Sequence, residues 1–286
     1  MRAIGVGIFI MIITSIQVIN AQSYFNGKFR KAAFTTNNYA YTFYDFSGEA
    51  NVKAKYFAQN AYSQYVNWKI GKQILLVTAG AFSDSWSADA KPVGLCVDNG
   101  KIVSRIPDQL MDGMVVVYNT GSITVVDLDV NFVSVLTDTG IISLSPRSSS
   151  FDRYKFLRWG QENNITLFQT QLVYSFVRTF NFNNLYYGKK KERRFLAICK
   201  KGTMIHHVVI DGPDALELNL SASYAKATLE YDGFEVHFIM NLDTGCKNIL
   251  HVYNGSYLQN LDPSRSECKS EAQIEKATNL LVYYRD

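Results

Sequence analysis

Asp243 stands where an alternating run, Phe234 to Met240, gives way to Asn241-Leu242-Asp243-Thr244-Gly245. A strand that ends in a turn presents a carboxylate without moving the backbone, and Gly245 lets such a turn approach a ligand closely. The same residues also suit an Asx-turn, in which the carboxylate bonds only its own backbone. Asp211, followed by Gly212, closes another apolar run and offers a second carboxylate or a plain turn. The basic run 189–194 ends on Arg193 and Arg194. A guanidinium binds phosphate at two points. Arg193 is the first candidate for that task, and Arg194 takes it if the register is shifted by one. The competing reading is the solvated end of a basic loop. Lys247 adds a cation if it turns inward. Thr78 to Phe82 form a turn whose Gly80 allows backbone amides to face an anion; the plain alternative is an ordinary tight turn.

Other chemistry is argued against by spacing. His206 and His207 are adjacent, so on a strand they point to opposite faces and cannot share one metal. Cys96, Cys199, Cys246 and Cys268 fit no zinc pattern, and neither a metal nor another cofactor is required. Cys246 and Cys268 are the pair nearest in sequence for a disulfide; free buried thiols fit equally well. Asp138-Thr139-Gly140 and Asp243-Thr244-Gly245 evoke the paired acids of an aspartic peptidase. The triplets are too close for a two-lobed enzyme, and the second half does not repeat the first.

The elements that must hold these residues read as hairpins. Gln73–Val77 is a buried strand, and Pro92–Val97 is a strand turned by Asp98-Asn99-Gly100. Met114–Tyr118 and Ser122–Leu128 flank Asn119-Thr120-Gly121. Residues 129–165 show little regularity, Ile165–Phe176 is a strand, and Phe195–Cys199 and Met204–Ile210 flank Lys200-Lys201-Gly202. Helical spacing appears over Asn219–Tyr231, with Ser221 as the cap and Gly233 as the stop, and an amphipathic stretch covers Ala50–Trp68. Ile249–Tyr253 and Leu280–Tyr284 are the last strands. The expectation is one α+β domain: a mixed, hairpin-rich β-sheet core with a few packed helices.

The ends bound the setting. Met1-Arg2, the apolar run from Ala3 to about Ile16 and the small Ala21 lay out a secretory signal peptide over 1–21, cleaved after Ala21; the competing reading is an uncleaved membrane anchor, for which the apolar run is short. Residues 22–71 then form an extension packing on a core domain of 72–286. No later stretch is apolar enough to span a membrane, so no span is expected after signal removal, and a secreted or periplasmic location follows. The sequence of 286 residues is 47% hydrophobic and 14% aromatic, with formal charge +4. Such mild basicity specifies no nucleic acid and suits an anionic substrate if it is local. Asn164-Ile165-Thr166, Asn219-Leu220-Ser221 and Asn254-Gly255-Ser256 match glycosylation acceptors.

Taken in order, Thr78-Ala79-Gly80-Ala81-Phe82, Pro92-Val93-Gly94-Leu95, Phe168-Gln169-Thr170-Gln171-Leu172-Val173, the Arg-led hairpin 193–210, Asn241-Leu242-Asp243 and Ala277-Thr278-Asn279-Leu280-Leu281-Val282 resemble the phosphodiester glycosidase domain over about residues 72–284. Thr78 stands where that family has Asn, and Thr244, Cys246, Lys247 and Asn248 replace its Gly- and Ser-rich turn. The resemblance implies cleavage of a sugar from a sugar-1-phosphodiester glycan through an oxocarbenium-like state. Such a state needs a carboxylate at the anomeric carbon and cations or amides at the phosphate. Together with the reading of the residues themselves, it makes Asp243, Arg193 and Asp211 the catalytic candidates. The substrate-binding candidates are Thr78, Gly80, Phe82, Gln169, Gln171, Arg194, Asn241, Thr244, Gly245 and Lys247. Gln169 and Gln171 share one strand face, which either meets sugar hydroxyls or is the solvent side. The altered residues equally suit a glycan-binding envelope protein that has lost catalysis.

Overall fold

A computed structural model describes residues 24–25, 30–46, 52–85, 87, 89–129, 132–180, 189–213, 215–244, 248–254, 257–259 and 274–286. The signal segment 1–21, the site candidates Gly245 and Lys247, and Cys246 and Cys268 lie outside the described residues.

Along the chain run β1 (Tyr24–Phe25), β2 (Arg30–Thr36), β3 (Tyr39–Asp45), β4 (Lys53–Phe57), α1 (Ala61–Trp68) and β5 (Gln73–Thr78). Next come β6 (Cys96–Asp98), β7 (Lys101–Ser104), β8 (Gly113–Val117), β9 (Ile123–Asp127), β10 (Val133–Thr137), β11 (Gly140–Leu144) and α2 (Ser150–Glu162). Then follow β12 (Thr166–Ser175), β13 (Thr179–Phe180), β14 (Arg194–Lys201), β15 (Met204–Asp211), α3 (Leu218–Tyr231) and β16 (Glu235–Leu242). Last are β17 (Leu250–Asn254), β18 (Tyr257–Gln259) and β19 (Leu280–Arg285).

The larger sheet runs β1-β2-β3-β15-β14-β16-β12-β6-β7, with β8, β9 and β13 joined around β12. The smaller sheet runs β18-β17-β5-β19-β4. The architecture is α+β and dominated by sheet. Among the described strands every pair is antiparallel, which corrects the expectation of a mixed sheet. The hairpin turns account for this, since antiparallel neighbours need only short links.

Side-chain alternation builds the layers. On β14, Leu196 and Ile198 face the smaller sheet, while Phe195, Ala197 and Cys199 face α3. On β19, Leu281 and Tyr283 face the larger sheet, while Leu280, Val282 and Tyr284 face α1. Period-two alternation thus gives each sheet two buried faces. The order of layers is α3, larger sheet, smaller sheet, α1. A further cluster packs α2 and the β10–β11 hairpin over β6, β8 and β12. The segment before Lys72 joins both sheets, since β3 pairs with β15 and β4 pairs with β19.

Two local expectations are corrected. Residues 129–165 contain a regular hairpin and the helix α2. The first residues of α3 are not capped by Ser221, which lies buried inside the helix; the cap position is Glu217, without a side-chain bond.

Candidate functional site

Four strand ends meet at one edge of the two-sheet stack. Arg194 opens β14 and is the register partner of both Asp211, which closes β15, and Leu242, which closes β16. Thr78 closes β5. The Asp243 amide donates to the Gly80 carbonyl at 2.9 Å, which fastens the end of the larger sheet to the turn of the smaller one. Hydrophobic patterning therefore brings the 78–82 turn, the 189–194 segment, residue 211 and residue 243 together.

Asp243 is part-buried at this junction. Its electrostatic neighbours are Lys191 and the Tyr56 phenol. Lys191 is half-buried, and desolvation pulls its ammonium below the ordinary lysine range; the Arg193 guanidinium adds to that, and Asp243 opposes it. Tyr56 is fully buried and stacks on Phe168 with ring centroids 4.2 Å apart. Burial pushes its phenol well above the ordinary tyrosine value, and the nearby Cys96, Asp98 and Asp243 act in the same direction. Gly80 is required here, because a Cβ would come within 2.8 Å of the Tyr56 ring.

The two arginines are both 1% exposed. Arg194 is held by its neighbours: Nη1 donates to the Ile249 carbonyl at 3.0 Å, and Nη2 donates to Asp211 at 3.0 Å and to the Asn248 side chain at 2.7 Å. Glu192 lies 3.5 Å from the same nitrogen. A guanidinium already paired in this way is a structural strut, and Asp211 is its counter-ion. Arg193 donates through Nη2 to the Lys189 carbonyl at 2.9 Å. It shares the electrostatic field of Lys191, next to Asp243.

The 78–82 turn is filled from within. Asn279 Oδ1 accepts from the amides of Gly80 and Ala81 at 2.9 and 3.0 Å, and its Nδ2 donates to the Ala81 carbonyl at 2.8 Å. The amides expected to face an anion are therefore occupied. Thr78 is fully buried, and its hydroxyl donates to the Ala79 carbonyl at 3.2 Å. Phe82 is half-buried at the rim of the turn. Thr244 is buried and donates through its hydroxyl to the Glu192 carbonyl at 3.1 Å.

Gln169 and Gln171 are buried, so their shared face is not the solvent side. Gln169 is engaged by backbone: Oε1 accepts from the Leu95 and Asp108 amides, and Nε2 donates to the carbonyls of Asp108 and Met111. It pins the 94–111 segment to β12. Gly94 takes a positive φ, and a Cβ there would collide with the Gln169 side chain. Gln171 Oε1 accepts from Asn241 Nδ2 at 2.9 Å across the β12–β16 ladder, while Gln171 Nε2 is buried without a hydrogen-bond partner among the described residues. That orphaned donor belongs to the side chain that braces Asn241, on the β16 end that leads into Asp243.

Sequence reasoning assigned no role to Lys191, Glu192, Asn248, Asn279 or Tyr56. Asn279 lay within a motif that carried the resemblance, and that was the available signal. Glu192 was hidden as one acid in a basic run. The Asp-Thr-Gly pair does not form an acid dyad: Asp138 is exposed at the tip of the β10–β11 hairpin, on an element remote from the β16 end. Among the described residues no group of three His, Cys, Asp or Glu side chains could hold a metal ion. Among them also, no helix is long and apolar enough to cross a membrane.

The fold is similar to that of one solved catalytic domain. The solved structure in question is the zebrafish N-acetylglucosamine-1-phosphodiester alpha-N-acetylglucosaminidase catalytic domain auto-inhibited by its pro-peptide. It matches with a TM-score of 0.51 at 12% identity, over 95% of this chain and 88% of that one. A hypothetical protein from Synechocystis matches with a TM-score of 0.49 at 8% identity, over 90% of this chain and 62% of that one. No protein-family model matches the sequence, and no curated protein does. The likeness is one of fold.

Proposed function

We propose that the chain is an exported hydrolase that releases a sugar from a sugar-1-phosphodiester glycan at the Asp243 junction. The observation that carries this reading is the placement of Asp243, part-buried beside Lys191 where four strand ends converge. The fold shared with a phosphodiester glycosidase domain supports it. Asp243 faces the anomeric carbon and stabilises the developing positive charge. Lys191 and Arg193 supply the positive field that receives the leaving phosphate. Asp211 and Arg194 act through each other as positioning residues, which revises the roles expected of them. Gln171 and Asn241 brace the strand end that carries Asp243. Export rests on the N-terminal signal, and a secreted product beginning at Gln22 tests it.

The decisive assay supplies N-acetylglucosamine-1-phospho-methyl ester and measures free sugar. Release is expected, and Asp243→Asn should lower it about 10²–10⁴-fold without unfolding the chain. No release across the acid-to-neutral range, or release indifferent to Asp243→Asn, would overturn the reading.

A second reading has its own observation. Asn279 occupies the Gly80 and Ala81 amides, Asp211 neutralises Arg194, and Thr78 is sealed from solvent. Three expected anion contacts are thereby taken by the fold, which favours a glycan-binding protein without turnover. Binding of the same ester with no sugar released would select it.

A further inference from the structure

A polar hollow lies between the β4–α1 junction and the β6–β7 hairpin. It is a half-open depression of about 380 Å³ lined by Gln59, Asn60, Gln64, Asp98, Asn99 and Lys101, with Val103 as its one apolar side chain; Asn60, Gln64, Asn99 and Lys101 are exposed at its mouth. That volume falls within the range of small-ligand sites, about 300–1,000 Å³. The lining is unlike that of a site for an apolar ligand, since six of its groups end in polar atoms.

The walls are held before any ligand arrives. Asp98 Oδ2 accepts from the Ala58 amide at 2.9 Å. The Asn99 amide donates to Thr166 Oγ1 at 2.8 Å, and Asn99 Oδ1 accepts from Lys55 Nζ at 3.2 Å. Gln59 Nε2 donates to the Asp89 carbonyl at 3.1 Å, and Gln64 Nε2 donates to the Gln59 carbonyl at 2.5 Å. The hairpin turn is fixed by Gly100, whose amide bonds the Ile165 carbonyl at 3.2 Å and where a Cβ would meet Asn164 at 2.8 Å.

Other groups are left to act on something else. Asn60 sits at φ +46°, and its carboxamide makes no cap bond and no other hydrogen bond among the described residues. Asp98 Oδ1 likewise has no partner there, and burial raises the Asp98 carboxyl above its ordinary value. The charges choose the ligand class. Lys55 and Lys101 are both electrostatic neighbours of Asp98, which disfavours a metal cation. The Asp98 carboxylate at the floor disfavours a phosphate. Acceptors and donors in alternation, with one apolar contact, match a neutral ring bearing hydroxyls.

We propose that this hollow binds a neutral sugar ring of a glycan, with hydroxyls donated to Asp98 and bridged to the carboxamides of Asn60, Gln59 and Gln64. Preorganised walls reduce the ordering cost of such a weak polar ligand. The hollow shares no lining residue with the Asp243 junction and does not depend on hydrolysis there.

Saturation-transfer NMR on the full chain with glucose, galactose, mannose and N-acetylglucosamine at millimolar concentration tests it. At least one sugar should receive saturation. Asn60→Gly keeps the left-handed backbone and removes only the carboxamide. This variant, and separately Asp98→Asn, should weaken binding about fivefold, the effect of one lost hydrogen bond. Both substitutions are read in an Asp243→Asn background, so that sugar held at the Asp243 junction does not contribute to the difference. No transfer to any of the four sugars would overturn the proposal, as would transfer that survives both substitutions in folded protein.

Discussion

Arg194 and Asp211 face each other as register partners on β14 and β15, their side chains joined at 3.0 Å with the guanidinium 1% exposed. A buried pair of this kind is costly to break, because the remaining charge stays in a poorly solvating interior. Asp211→Asn should therefore cost about 3–5 kcal/mol, with Glu192 and Asn248 holding it to the lower end. Arg194→Met together with Asp211→Leu should cost less than the single substitution, since the one acid left behind, Glu192, is partly exposed and keeps its bond from Asn248. Urea unfolding of the three proteins measures both effects. A double variant worse than Asp211→Asn would contradict the strut assignment.

Asn279 closes the turn that meets Asp243. Asn279→Ala strands the amides of Gly80 and Ala81 and the Ala81 carbonyl in a buried place. With three buried groups left unmade at about 1–3 kcal/mol each, the expected loss is about 3–9 kcal/mol. Hydrogen exchange at the Gly80 and Ala81 amides should accelerate well beyond that of the β14–β15 ladder. If exchange rises equally everywhere, the role of Asn279 is global packing instead.

Legibility in the sequence follows the range of the interactions. The β6–β7 hairpin was readable because Asn and Gly suit the positive φ that a two-residue turn demands. Asn99 takes φ 48° and Gly100 takes φ 76°. The stretch over α3 was readable because its apolar positions recur at helical spacing. The helix α2 was missed because Phe151 and Tyr154 are 65% and 55% exposed, so its apolar residues form no single stripe. Its start was nonetheless signalled by Ser149, a favoured residue at a helix N-cap. The Ser149 hydroxyl accepts from the Asp152 amide at 3.2 Å. The place of Asp243 just past a strand end was legible from the alternating run before it. Asn279 reaches Gly80 across a separation of 199 residues, and no local pattern encodes that meeting.

His207 gives the stability a pH dependence. It is half-buried on β15, beside the Tyr283 ring at 6.3 Å, with His206 and Asp45 as electrostatic neighbours. Desolvation first, then His206, lower its pKa to about 4, against a small opposing effect of Asp45. The unfolded chain takes up this proton near pH 6.5 and the folded chain only near 4. Stability present above pH 6.5 should therefore fall by about 1–3 kcal/mol as the pH drops to 4. The raised carboxyls Asp98 and Asp112 oppose the trend, because protonation favours their folded forms. His207→Gln should flatten the loss in chemical denaturation series, leaving those carboxyls in common. An unchanged slope would place the proton uptake elsewhere.

Arg178 is a three-way clamp on carboxylates. One guanidinium bonds three carboxylates: Nε to Asp127, Nη1 to Asp129 at 3.2 Å and Nη2 to Asp112 at 3.1 Å. Asp112 also accepts from the Leu172 amide at 2.9 Å, so the clamp ties β9 and the segment before β8 to β12. Removing the guanidinium leaves Asp112 and Asp127, 4% and 6% exposed, as neighbouring like charges. Arg178→Ala should cost about 3–5 kcal/mol near neutral pH. Part of that loss should return on mild acidification, because protonating the stranded carboxyls relieves both repulsion and desolvation. Arg178→Lys should recover little, since a point charge cannot reach three partners as a planar fork does. Thermal unfolding of both variants near pH 5 and pH 7.5 distinguishes this clamp from simple packing, for a packing defect would lower the midpoint equally at the two values.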